Sequence, residues 1–285
     1  MSRYALFLGC TIPARLNSYD LSSRRVAEAL GIELVDLEGA GCCGTPDMES
    51  LDHTMAAAMA AWNLSLAEEQ GLDIVVLCNG CHEVLRKYNV MLKQDSKLLK
   101  EVNEILSKVG REYEGTVEVK HYVKVLYDDI GPDKIRQMLK KPFKGLRAAV
   151  HYGCHMLRPS ELIQFDDPEN PHILDDLVNA TGAVSVDYPD KLECCGAPIL
   201  AVNEELSNSI AKYKVQIARK YADVMITACP FCFMQYEGCQ VTGWEGEQLP
   251  VLHYPQLLGL ALGMEFEELG INENRIDASK ILEFL

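Results

Sequence analysis

One set of five cysteines occurs twice in this sequence, and this repeat constrains the fold more than any other feature. Each set has a single cysteine, then a Cys-Cys pair, then a Cys-x-x-Cys pair. The first set is Cys10, Cys42, Cys43, Cys78 and Cys81, and the second is Cys154, Cys194, Cys195, Cys229 and Cys232. Both Cys-Cys pairs stand in the local sequence Cys-Cys-Gly-x-Pro, and only Cys239 lies outside the sets. The chain therefore contains two related units.

The length and charge limit what these units can be. A chain of 285 residues suits two domains of about 140 residues each. We expect a first domain over residues 1–145, with a charged helical insert at 91–115, and a second over 146–285. The net charge of −15 argues against nucleic acid as a partner, because phosphates would be repelled.

The expected compartment follows from the apolar pattern and bears on the cysteines. The sequence has no apolar run of about 18 residues and no signal-peptide pattern at its start, so we expect no membrane span and a cytoplasmic location. In a reducing compartment, clustered cysteines indicate metal or redox chemistry rather than structural disulfides.

Alternating apolar strands and helical stretches predict an α/β fold. Strands are predicted at 3–9, 32–36, 73–77 and 117–119, and again at 146–152, 184–186, 223–227 and 251–254. Such alternation is typical of parallel βαβ units, which place ligands at the carboxyl ends of their strands. We therefore expect two tandem Rossmann-like repeats, related by a pseudo-two-fold axis, with both cysteine sets facing a shared cleft.

The number of thiols narrows the chemistry. Structural zinc needs four ligands, which would leave Cys10 and Cys154 without a role, although zinc in one half stays open. An ordinary cubane iron–sulfur cluster also takes four thiolates, so a fifth either lies idle or bridges two irons. The ferredoxin run Cys-x₂-Cys-x₂-Cys-x₃-Cys-Pro is absent from the sequence, so electrons must come from a partner.

The duplicated pattern resembles the cysteine-rich CCG-domain family, and within it the heterodisulfide reductase B subunits of methanogens. The resemblance implies two non-cubane [4Fe-4S] clusters, one on each cysteine set. It implies an oxidoreductase that cleaves the mixed disulfide of coenzyme M and coenzyme B. It also implies two partners, a small C-type subunit with two cubane [4Fe-4S] clusters and a flavin-containing A-type subunit that bifurcates electrons.

A two-cluster mechanism needs proton donors and anion-binding groups. Cleaving a disulfide takes two electrons, so we hypothesise that the bond is held between two clusters that each supply one. His155 and His82 follow cluster cysteines and are candidate proton donors, although either could be structural. Arg15, Arg158 and Lys87 are candidates for binding the substrate's anionic groups, although each could be a solvated surface charge.

Two other functions remain open on the sequence. The same domain occurs in iron–sulfur electron-transfer subunits of lactate, glycolate and succinate oxidoreductases, where one half has often lost a ligand. This chain keeps all ten cysteines of the repeat, which favours the two-cluster enzyme. The second alternative is a non-catalytic interaction module stabilised by zinc.

Overall fold

The computed structural model describes residues 2–241 and 243–285, with every side chain in those ranges except that of Pro46. Eight strands form two parallel sheets of four strands each. The strands are β1 (Ser2–Phe7), β2 (Ile32–Asp36), β3 (Ile74–Val76), β4 (Val119–His121), β5 (Arg147–His151), β6 (Val184–Val186), β7 (Val224–Thr227) and β8 (Val251–His253).

Fourteen α-helices of the described ranges connect and cover these strands. They are α1 (Thr11–Arg15), α2 (Asn17–Ala29), α3 (Thr45–Leu51), α4 (His53–Gln70), α5 (Asn79–Gln94), α6 (Ser96–Leu106), α7 (Tyr122–Val125), α8 (Pro132–Met138), α9 (Cys154–Leu157), α10 (Ser160–Ile163), α11 (Ile173–Ala180), α12 (Glu204–Ala218), α13 (Pro230–Val241) and α14 (Tyr254–Ala261). Short 3₁₀ turns cover Ser107–Val109, Ala197–Ile199, Glu267–Leu269, Ile271–Glu273 and Ser279–Phe284, and a π turn covers Leu126–Ile130.

The two sheets have the same topology. Their strand orders are β2-β1-β3-β4 and β6-β5-β7-β8, and every neighbouring pair is parallel. The register also repeats, since Phe7 pairs with Val76 in the first sheet and His151 pairs with Thr227 in the second. The predicted α/β fold with two tandem repeats is confirmed.

Burial explains why the central strands could be predicted from the sequence. Every residue of β3 and β7 is buried, as expected for strands of a parallel sheet covered on both faces. Helix α4 is rich in alanine and buried on several sides, so it lacks a polar face. The side chain of Asp52 caps its start by accepting from the backbone N–H of Met55, and Gly71, at a φ of +64°, ends it.

The charged insert differs in detail from its prediction. Helix α5 continues through residue 94, and Asp95 then caps α6 by accepting from the backbone N–H groups of Lys97 and Leu98. Helix α6 packs on α4, so the insert is part of the first half's helical layer. The fourth strand lies at Val119–His121, two residues after the predicted 117–119.

The halves pack through reciprocal helix contacts. Helix α2 of the first half contacts α14 of the second, and α11 of the second contacts α7 of the first. Helix α2 is the equivalent of α11, and α7 is the equivalent of α14. The two contacts are therefore related by an approximate two-fold axis. The linker after α8 hydrogen-bonds to the second half, with the backbone N–H of Lys144 donating to the carbonyl of Phe284. The boundary at residue 145 stays a prediction.

Candidate functional site

The carboxyl ends of the strands position the cysteines. Cys78 stands between β3 and α5, and Cys229 stands between β7 and α13. Cys10 precedes α1, and Cys154 is the first residue of α9, each shortly after the first strand of its half. Because all strands of a parallel sheet end at the same edge, these cysteines gather on one side of each half.

The Cys-Cys-Gly loops present sulfur to backbone donors. The N–H of Gly44 donates to Sγ of Cys42 at 3.5 Å, and the N–H of Gly196 donates to Sγ of Cys194 at 3.3 Å. Both glycines have left-handed backbone, at φ values of +106° and +85°. A side chain at either place would be strained, and at Gly196 its Cβ would lie 2.8 Å from the carbonyl oxygen of Ser207.

Nine thiols form one continuous series in which neighbouring members shift each other's pKa, and the series passes from one half to the other. In order they are Cys42, Cys43, Cys81, Cys78, Cys229, Cys232, Cys195, Cys194 and Cys154. The step between the halves is the pair of Cys78 and Cys229, each of which shifts the pKa of the other. The two cysteine sets therefore belong to one site.

Neighbouring thiols favour the thiolate form of some cysteines in each half. The thiols of Cys42 and Cys81 lower the pKa of Cys43 well below its usual range. The thiols of Cys154 and Cys195 lower the pKa of Cys194 in the same way. Thiolate is the form that binds metals, so each half contains a cysteine suited to bind one.

A cavity of about 270 Å³ lies between the halves, and nine of the ten repeat cysteines line it. Cys42 is the one that does not reach the cavity wall, as far as the described residues go. The polar residues Thr11, Thr45, Asp47, Asn79 and His155 also line it. A half-buried space walled by sulfur suits a soft, thiophilic metal centre.

Two glycines keep room beside the sulfurs. A Cβ at Gly9 would lie 2.9 Å from Sγ of Cys81, and a Cβ at Gly153 would lie 3.4 Å from Sγ of Cys232. Each of these glycines directly precedes the first cysteine of its set. The donor set, its convergence and this space fit iron–sulfur ligation by both halves.

The two candidate histidines occupy different environments. His155 is partly exposed and lines the cavity, with its Nδ1 at 3.9 Å from Oε2 of the buried Glu83. His82 is buried, and its Nδ1 has no hydrogen-bond partner among the described residues. Burial lowers the pKa of His82 well below its usual value, which keeps the ring neutral. Only His155 reaches the cavity.

The three candidate basic residues do not line the cysteine cavity. Arg15 lines a larger groove of about 1200 Å³, which shares Ala197, Pro198 and Phe231 with that cavity. The guanidinium of Arg158 donates to the carbonyl of Pro168 at 3.1 Å. The ammonium of Lys87 contacts Glu49 at 2.5 Å and Glu83 at 2.8 Å, in a largely buried cluster.

Sequence reasoning missed several residues around the second cysteine set. A ring nitrogen of the buried His151 lies within 4.8 Å of the sulfurs of Cys195 and Cys232. The hydroxyl of Tyr236 lies 3.3 Å from both ring nitrogens of His151. A comparison of the two repeats position by position could have found His151, because it stands three residues before Cys154 where Phe7 stands before Cys10.

The profile of the cysteine-rich domain family, CCG, matches residues 4–86 and 148–237, one copy in each half. The chain belongs to the CCG cysteine-rich domain family. The two matched segments contain all ten repeat cysteines, and Cys239 lies just outside the second.

Several CCG proteins are similar to this one over nearly their whole length. The B subunit of the ferredoxin/F420H2-dependent CoB–CoM heterodisulfide reductase of Methanosarcina acetivorans is 39% identical, over 100% of this chain and 96% of its own. The 8-methylmenaquinol:fumarate reductase membrane anchor subunit of Wolinella succinogenes is 34% identical, over 98% of both chains.

A solved structure supports the fold of this CCG protein. A hypothetical protein from Helicobacter pylori superposes with a TM-score of 0.76 at 18% identity, over 97% of this chain. This chain spans about half of that structure's length, 52%. In the two described ranges, none of the helices combines the length and the apolar character needed to cross a bilayer.

Proposed function

We propose that this chain is the disulfide-cleaving subunit of a CoB–CoM heterodisulfide reductase, an oxidoreductase acting on the mixed disulfide of coenzyme M and coenzyme B. The observation that carries the proposal is the shared cavity, where nine of the ten repeat cysteines, drawn from both sets, line one space. A disulfide has two sulfur atoms and takes two electrons, so two adjacent metal sites match its stoichiometry.

The proposed cofactors are two non-cubane [4Fe-4S] clusters. Cys10, Cys42, Cys43, Cys78 and Cys81 would hold one, and Cys154, Cys194, Cys195, Cys229 and Cys232 the other. When bound, the clusters supply one electron each to the disulfide. The proposal places the chain in a reducing cytoplasm, where its thiols stay available as ligands.

The proposal includes two partner subunits. A similar protein is named as the B subunit of its reductase, which makes it one part of a larger assembly. The partners proposed here are a C-type subunit with two cubane clusters, which delivers electrons, and an A-type subunit with a flavin. Such partners supply the electron route that the sequence of this chain lacks.

His155 is the proposed proton donor. It stands at the wall of the cavity beside Cys154, and the carboxylate of Glu83 lies behind its ring. A histidine at the wall of a cavity can deliver a proton to a group that is bound inside it. His82 remains the second candidate, and it would act from behind the first cysteine set because its ring is buried.

Basic side chains near the cavity are proposed to bind the anionic ends of the substrate. Arg15 is the best placed, because the groove that it lines opens beside the cysteine cavity at Phe231. Arg158 is exposed and follows α9. Lys87 is the weakest candidate, because both of its contacts are carboxylates of the chain itself.

Metal analysis of the anaerobically purified chain tests the proposal. We expect about eight irons, an equal amount of acid-labile sulfide and little zinc. Electron paramagnetic resonance (EPR) spectra should change when coenzyme M or coenzyme B thiol is added. Zinc in place of iron in one half contradicts the two-cluster proposal and leaves that half structural.

A second candidate function is an iron–sulfur electron-transfer subunit of a fumarate or similar oxidoreductase. Its support is the 34% identity to the fumarate reductase subunit of Wolinella succinogenes. Eight irons with no spectral response to either coenzyme thiol, and no disulfide cleavage, would favour this alternative.

A further inference from the structure

The two cysteine sets have different surroundings, although their ligands match position by position. His151 occupies the place of Phe7, at the same register in its sheet and three residues before the first cysteine. The ring of His151 lies within 4.8 Å of two sulfurs of the second set. The first set faces a phenyl ring at that place, so the second set alone has a hydrogen-bonding ring there.

A buried lysine provides a second difference. Lys214 stands nineteen residues after Cys195, as Trp62 stands nineteen after Cys43. The two side chains make equivalent hydrogen bonds. Trp62 Nε1 donates to the carbonyl of Gly39, and Lys214 Nζ donates to the carbonyl of Lys191. The second half therefore has a buried ammonium where the first half has a neutral indole.

Lys214 lies close enough to the second set for their charges to interact. Its ammonium also donates to the carbonyls of Asp190 and Glu193, each at 2.6 Å, directly before the Cys-Cys pair. Burial lowers the pKa of Lys214 to about 8, and the neighbouring Cys232, Cys195 and Cys154 oppose that shift. The side chain remains mainly charged at neutral pH.

Two further pairs of equivalent residues differ in polarity between the halves. Tyr236 stands four residues after Cys232 and its hydroxyl contacts His151, whereas Leu85 stands four residues after Cys81. Asp47, a carboxylate at the cavity wall, stands four residues after Cys43, whereas Ile199 stands four after Cys195. The second set thus has more hydrogen-bonding groups around it, whereas Asp47 is exposed to solvent, which screens its charge.

The charged groups that would reduce this difference between the two cysteine sets are either exposed to solvent or paired with an opposite charge. Glu193 lies next to the second set, but it is exposed, and solvent screens it more than the buried Lys214. On the first side, Arg86 is paired with Glu118, and Lys87 is shared by Glu49 and Glu83. The cationic groups near the first set are therefore neutralised by carboxylates of the same half.

We infer that Lys214, with His151 and Tyr236, gives a cluster on the second cysteine set a more positive reduction potential than a cluster on the first set. The second set would therefore be reduced first when an iron–sulfur donor subunit delivers one electron. Hydrogen bonds and positive charge near cluster sulfurs stabilise the reduced state, which carries one more negative charge. The inference rests on the proposed function, because it needs a cluster in each half.

The test is an EPR-monitored redox titration of the full iron-loaded chain and its variants. Lys214→Met removes the ammonium, and Lys212→Met, two residues earlier on α12, is the control with the same change in net charge. We expect Lys214→Met to lower the more positive of two midpoints by about 59 mV or more, a tenfold change in the one-electron equilibrium. The more negative midpoint should move less.

Two milder variants keep the test decisive if Lys214→Met does not fold. His151→Phe introduces the residue that the first half has at this place, and Tyr236→Phe removes the hydroxyl that contacts His151. Both variants should lower the more positive midpoint. The inference is overturned if the more negative midpoint moves further, or if no variant differs from Lys212→Met. A parent protein with about eight irons and a single step overturns the inference as well, whereas zinc or about four irons contradicts the proposed function itself and is recognised from the metal count.

Discussion

Lys87 lies in a buried ion-pair cluster, and this predicts a structural effect when it is replaced. Its side chain is 9% exposed and that of Glu83 is 4% exposed. Lys87→Met leaves Glu83 buried without its cation, so the free energy of unfolding should fall by about 3 kcal/mol. Denaturant unfolding measures this loss. The exposed Lys97→Met is the control and should change stability by less than about 0.5 kcal/mol.

The same variant separates two roles for Lys87. A raised KM for the disulfide at unchanged stability would support the substrate-binding role predicted from the sequence. Lost stability at unchanged KM supports the ion-pair role.

His155 predicts a kinetic effect at the residue scale. Because it is the histidine at the cavity wall, His155→Asn should lower kcat for disulfide cleavage by about 100-fold or more. Steady-state assays with an artificial electron donor measure this change, and iron content should stay at the parent value. His172→Asn, at an exposed histidine on the second half, is the control. A loss within twofold would remove His155 from the mechanism.

The loops between strands and helices decide whether the sulfurs converge. Gly153 and Gly145 both have φ of +78°, so alanine at either should cost about 1–2 kcal/mol in backbone strain. Only at Gly153 would the new Cβ meet neighbours, at 2.7 Å from Nδ2 of Asn79 and 3.4 Å from Sγ of Cys232. We expect both variants to lower Tm, and only Gly153→Ala to lower iron content. Equal iron content in the two would contradict this use of Gly153.

At the scale of elements, the sequence was informative where local pattern decides the structure. The buried runs at β3 and β7 predicted parallel strands, and the rule for their carboxyl ends placed Cys78 and Cys229 correctly at one edge of each sheet. The point inside the predicted insert at which α5 ends and α6 begins was not predicted, and the structure puts it at Asp95.

Contacts between distant segments could not be predicted in this way. The meeting of Cys78 and Cys229 at one cavity and the ion pair of Lys87 with Glu49 join residues 38 or more positions apart, and no local pattern records them. The polar surroundings of the second set were accessible in principle, because aligned repeats expose the exchanges of Phe7 for His151 and Trp62 for Lys214.

Tyr19 connects the halves at the scale of the whole molecule. Its buried hydroxyl lies 2.9 Å from the carbonyl oxygen of Leu77 and 3.1 Å from that of Ala228, the residues before Cys78 and Cys229. Tyr19→Phe should lower the free energy of unfolding by about 1 kcal/mol and alter the EPR spectra of both clusters. Tyr122→Phe, at a buried tyrosine that donates to Ser23 within the first half, should lose similar stability with unchanged spectra.

The shared hydroxyl of Tyr19 also constrains how the two repeats can change over generations. It comes from the first repeat, yet it also donates to the carbonyl of Ala228, directly after β7 of the second repeat. One place between two carbonyls holds one hydroxyl, so a symmetric pair of identical copies would bring two tyrosines to the same spot. The two repeats therefore cannot both carry a tyrosine at this place, and identical copies would not pack together in the same way.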